Sequence, residues 1–109
     1  MTLITVCSDR NGSYSGFACH GHADYADSGE DIVCAGISAL VINTVNCLQD
    51  ILEIPVSVVY DDDGNIECSL PGPADEKAAL LIDSMVHGLE WIRIQYGDEY
   101  LRIEQRSLS

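Results

Sequence analysis

The chain predicts an α+β fold, with two helices packed on one face of a mainly antiparallel or mixed sheet, and three observations carry that prediction. Two pairs of short alternating segments read as hairpins, the first across the strong turn signal Asn11-Gly12. Two longer runs place apolar residues at helical spacing. The resulting order ββαββαβ has too few helices to cover both faces of a doubly wound sheet, so two layers are expected. With 109 residues the chain fits one domain, 1–109, with one core and one site.

The elements follow in order. Residues 2–8 are rich in β-branched side chains, and residues 13–22 return as the second strand. There Ala18, His20 and His22 are expected on one face and Phe17, Cys19 and Gly21 on the other. After a loop over 23–30, Asp31 is a good N-cap for a helix over 32–52, with a stripe of Val33, Ile37, Leu40, Val41, Thr44, Leu48 and Ile51. Ile32, Ala35, Ala39 and Ile42 make its first half apolar nearly all round. A chain this small cannot cover both sides of such a helix, so a homodimer is expected.

Segments 54–60 and 65–70 form the second hairpin across Asp61, Asp62, Asp63 and Gly64, and Pro71-Gly72-Pro73 ends it. The second helix is expected over 74–96, burying Ala78, Leu81, Ile82, Met85, Leu89, Ile92 and Tyr96, with Gly97 as a left-handed stop. Residues 98–104 alternate as a last strand with Leu101 and Ile103 covered.

Charge narrows the partners. Eighteen acidic against five basic residues give a formal net charge of −13. Phosphate backbones and anionic membranes are therefore poor partners, and neither direct nucleic-acid binding nor membrane association is expected. A basic partner is favoured, although solubility alone also accounts for the charge. Five cysteines without a C-x-x-C pair, and an N-terminus lacking a basic segment followed by an apolar core, suit a reducing cytoplasm. The longest apolar run, about 37–45, is broken by Ser38, Asn43 and Thr44 and falls short of the ~20 residues that cross a bilayer.

The stretch from Gly21 to Ser38 carries the chemistry. His22 stands at the end of a strand and Cys34 in the first turn of a helix, where unpaired N–H groups and the helix dipole favour a thiolate. His22 is suited to take the thiol proton and return it to a leaving amine. Ser38 lies one turn from Cys34 on the same face, and the N–H groups of Val33 and Cys34 are candidates for an oxyanion hole. On spacing alone a lone cysteine is more often a small buried hydrophobe, as Cys7, Cys19, Cys47 and Cys68 read here.

A zinc site of His20, His22 and Cys34 is the rival arrangement, but no fourth ligand stands at suitable spacing. No metal or other cofactor is expected. The 61–65 turn lacks the twelve-residue pattern of a calcium loop, and His87 beside Trp91 reads as helix decoration.

Gly21-His22-Ala23-Asp24-Tyr25-Ala26, Gly29, Asp31-Ile32-Val33-Cys34-Ala35 and Ser38 together resemble the ribosomal-processing cysteine proteases, the Prp family. Length and element order fit over nearly the whole chain, and only this block is diagnostic. The resemblance implies a cytoplasmic, homodimeric endopeptidase that removes the N-terminal extension of large-subunit ribosomal protein L27 after an aromatic-rich apolar segment. His22 and Cys34 match its catalytic pair. Asp31 and Ser38 match supporting positions, with Asp31 either orienting His22 or capping the helix. The loop 23–30 matches a mobile segment that shapes the cleft, and Gly36 stands where the family often has alanine. An acidic, non-catalytic binding module or assembly factor for a basic ribosomal protein is the competing class, and it would need neither His22 nor Cys34.

Overall fold

The computed structural model describes residues 1–27 and 30–107. Strand β1 (Thr2–Ser8) and β2 (Tyr14–His20) form the first hairpin. Helix α1 (Ile32–Asp50) follows, then β3 (Ser57–Tyr60), β4 (Ile66–Ser69), helix α2 (Glu76–Tyr96) and β5 (Leu101–Ser107). The strands make one mixed sheet in the order β3-β4-β2-β1-β5, antiparallel throughout except for the parallel pair β1 and β5. The expected α+β class and element order hold.

Alternation decides which face is covered. Thr2, Ile4 and Val6 of β1 and Phe17 and Cys19 of β2 are buried beneath the helices, with Ile4 opposite Cys19 and Val6 opposite Phe17. The other face carries Leu3, Cys7, Ala18 and His20 and receives no helix. Val33, Ile37, Val41 and Leu48 of α1 and Ala78, Ile82, Met85 and Leu89 of α2 complete the core, all at most 1 % exposed. Burial of such side chains contributes roughly 1.5–3 kcal/mol each and holds both helices on the sheet. The helices also touch one another closely: a Cβ added at Gly88 would lie 3.0 Å from Leu40 Cδ1. Among the described residues, α1 is the one helix whose length and composition would suit a membrane, yet its buried stripe packs into this core.

Several boundaries differ from expectation. Strand β2 stops at His20, so His22 lies beyond the strand and does not share a face with His20. The cause is Gly21, whose φ of +84° turns the chain in a conformation that favours glycine. Helix α1 ends at Asp50, and Ile51, expected on the buried stripe, is 72 % exposed. Helix α2 begins at Glu76, two residues later than expected, because Asp75 serves as its cap. Gly97 has a positive φ of 117° but an extended ψ of 156°, so the stop uses a glycine conformation other than the left-handed helical one. The last strand begins at Leu101, since its register is set by Thr2 facing Leu101.

Candidate active site

Asp31 begins the site. Its backbone is extended, its Oδ1 accepts a 2.9 Å hydrogen bond from the N–H of Cys34, and its Oδ2 accepts a 3.0 Å bond from the N–H of Tyr25. The first bond caps α1 and the second ties the preceding loop to the helix. Burial works to raise the carboxyl, but the N–H donors of Cys34, Tyr25, Ala26 and Val33 outweigh it and hold Asp31 below the usual carboxylate range. Of the two roles open to Asp31, the geometry gives it the cap and the loop tie.

This corrects one expectation. Of the N–H groups of Val33 and Cys34, the candidates for an oxyanion hole, that of Cys34 is taken by the Asp31 carboxylate. A helix N-terminus has few free donors, and a capping side chain uses those nearest to it.

A cavity of about 450 Å³ opens beside this cap, lined by His22, Asp24, Ala26, Asp31, Cys34, Ala35 and Ser38. All four residues singled out in the sequence therefore meet in one place. His22 is exposed and Cys34 half-buried, so the thiol is reachable from solvent. Cys19 and Cys68 lie in the core, and burial pushes both thiols up to about 11, the charge of Cys34 adding to the effect at Cys19. Those two thiols are inert packing groups; Cys34 lies on the cavity wall.

The loop between His22 and Cys34 is anchored by contacts the sequence did not announce. Ala23 is buried, and Asp24 takes a φ of +59°, which aspartate tolerates better than most side chains. Tyr25 packs edge-on against Tyr96 and Tyr100, with ring centroids at 5.4 and 5.1 Å. Such pairs add about 0.5–1.5 kcal/mol beyond area burial. Tyr25 stood in the motif, but nothing in the sequence paired it with the end of α2 and the start of β5. Gly29 of the motif lies outside the described residues.

The zinc alternative loses its geometric basis. His20 points to the helix-free face, where its Nε2 lies 3.2 Å from Glu67 Oε1 on the neighbouring strand, while His22 lines the cavity. Among the described residues no group of three His, Cys, Asp or Glu side chains is placed to hold a metal ion. The 61–65 segment is a hairpin turn, organised by Asp61 accepting from the backbone N–H groups of Asp63 and Asn65.

A solvent-reachable thiol in the first turn of a capped helix, with a histidine on the wall of the same cavity, defines the class of small α+β thiol hydrolases. The profile of the cysteine protease Prp family matches residues 1–101, and the chain belongs to that family of ribosomal-processing cysteine proteases. The ribosomal processing cysteine protease Prp of Bacillus subtilis is 32 % identical over 103 residues, covering 90 % of this chain and 92 % of the relative. A crystal structure of the Staphylococcus aureus ribosomal processing protease Prp with a covalently linked product peptide matches at a TM-score of 0.89 and 27 % identity. It spans 97 % of this chain and 100 % of that one. A second crystal structure of that protease, with a substrate peptide, matches at 0.84 and 26 % identity over the same shares of the two chains. The protein is a cysteine protease.

Proposed function

We infer that this protease removes the N-terminal extension of ribosomal protein L27, with Cys34 as nucleophile and His22 as general base and acid. The observation that carries this reading is the single cavity that holds both side chains beside the capped start of α1. His22 takes the Cys34 proton, and Sγ attacks the scissile carbonyl carbon to give a tetrahedral oxyanion. Collapse breaks the C–N bond as His22 gives its proton to the departing amine, leaving a thioester on Cys34. Water, deprotonated by His22, then attacks the thioester and releases the acid and the free thiol. Ser38, one turn from Cys34 on the cavity wall, orients the thiol. Asp31 acts through the loop and the helix start and does not exchange protons.

Charge supports the substrate class. Asp24, Asp27, Glu30 and Asp31 lie in or beside the loop that borders the cavity, in a chain of net charge −13. A basic ribosomal-protein tail is drawn to such a surface. The free state of all five cysteines agrees with a cytoplasmic location. Exposed Ile32 (59 %) and Ile42 (39 %) leave the second apolar face of α1 open for a homodimer contact. Sedimentation at micromolar concentration tests this: a dimer is expected, and a mass near 11.8 kDa would refute it.

The decisive experiment incubates the protein with L27 carrying its N-terminal extension and reads the product mass. The wild-type protein is expected to trim the extension, and Cys34→Ala to leave it intact while still folding, since that change removes only a thiol. Binding of L27 without trimming by the wild-type protein would favour the assembly-factor reading.

A further inference from the structure

The acidic hairpin turn between β3 and β4 is built in more detail than a turn requires. Asp61 Oδ1 accepts from the N–H of Asp63 and of Asn65, each at 2.9 Å, and Asp61 Oδ2 accepts from Asn65 Nδ2 at 2.7 Å. These bonds lock the Asn65 side chain. With Nδ2 committed to a carboxylate, the amide oxygen is left facing the other way, where it accepts a 2.9 Å hydrogen bond from the N–H of Gly21. The amide orientation is therefore fixed by its partners, a donor on one side and an acceptor on the other.

Gly21 is the residue before His22. It is confined on a second side as well, since a Cβ there would lie 2.7 Å from the Met1 carbonyl oxygen. The β2–β4 ladder ends at the pair Cys19 and Ile66, and the Asn65 side chain carries the pairing beyond the ladder to the peptide on which His22 is mounted. His22 itself is exposed and lies outside any strand, so its aim depends on this peptide.

We propose that Asn65 is a positioning residue for His22, fixing the Gly21 peptide so that the imidazole is held at the Cys34 cavity. The proposal rests on the reading of His22 as the base. Because a misplaced catalytic group loses rate more than affinity, Asn65→Ala is expected to lower kcat for peptide cleavage about tenfold and to change KM less than about twofold. The exchange Asp61→Asn with Asn65→Asp offers the rescue: the new asparagine donates to the new aspartate, whose second oxygen still accepts from Gly21. This double variant is expected to recover most of the lost kcat, whereas Asn65→Asp alone, with two facing carboxylates, is not.

A substrate-free measurement separates this proposal from the catalytic reading. The imidazole resonances of His22, assigned with His22→Gln, are expected to shift or broaden in Asn65→Ala and return in the double variant. Unchanged His22 resonances in a folded Asn65→Ala protein overturn the proposal whatever the enzyme cleaves. So does an effect confined to KM, or a double variant as impaired as the single one. If instead the resonances respond as expected while His22→Ala cleaves normally, the positioning stands and the role of His22 as base is what fails.

Discussion

The two helices of this protein begin alike and end in different chemistry. Asp31 caps α1 by accepting from the N–H of Cys34 at 2.9 Å, and Asp75 caps α2 by accepting from the N–H of Ala78 at 2.8 Å. Both caps are extended and both accept from the third helical residue, although ψ is 95° at Asp31 and −177° at Asp75. At α1 that third residue is a half-buried cysteine on a cavity wall with His22. At α2 it is a fully buried alanine in the core. The Asp31 carboxylate also reaches back to Tyr25, whereas Asp75 follows the bend Pro71-Gly72-Pro73 and Ala74. A capped helix start is therefore a common structural device, and the catalytic use proposed for the one at α1 rests on what the rest of the fold brings to face it.

The largest test of that contrast removes the facing group. His22→Ala is expected to reduce peptide cleavage by roughly 10²–10⁴-fold with no loss of thermal stability, because the side chain is exposed and its proposed role is proton transfer alone. A loss smaller than tenfold would show that the helix start suffices without the base.

A smaller effect separates the two caps. Asp31→Ala and Asp75→Ala should each cost about 1 kcal/mol of stability, the ordinary value of an N-cap. Only Asp31→Ala should also slow alkylation of Cys34 by iodoacetamide, since it releases both the first turn of α1 and the Tyr25 loop. Equal alkylation in the two variants would reduce Asp31 to a cap like any other.

Acid unfolding sharpens the comparison further. Asp31 has a folded value below its unfolded one, near 3.9, so it stabilises the fold above that value. The unfolded state binds more protons as the pH drops through 3.9 toward the folded value, and the contribution is lost there. Asp31→Asn keeps an oxygen that can cap but does not titrate. It should show a shallower fall in stability below about pH 5, measured by denaturant unfolding at each pH, in the range where that linkage acts.

The smallest change is expected from Ser38→Ala, about threefold to tenfold in kcat, the size of one hydrogen bond near 1 kcal/mol. No change would leave Ser38 as lining only.

Local patterns made much of this readable. The Asn11-Gly12 turn, the Asp31 cap, the apolar spacing of both helices and the His22 to Ser38 block depend on residues within a few positions of one another, and all four expected site residues line one cavity. The apolar face of Ile32, Ala35, Ala39 and Ile42 was equally visible, and it is exposed in the single chain.

What lay outside the sequence was set by contacts between distant segments. The end of β2 at His20 depends on Gly21 meeting the Met1 carbonyl and the Asn65 amide, 44 residues away. The pairing of Tyr25 with Tyr96 and Tyr100 needs α2 and β5 in place. The side chain of Asp31 had two plausible partners in the sequence, and only the folded loop decided between them. Periodicity and capping are local, so the sequence determined the elements, the core stripes and the residues able to do the chemistry. Register, loop anchorage and the direction of each polar side chain arise from packing between segments, and those only the tertiary structure decided.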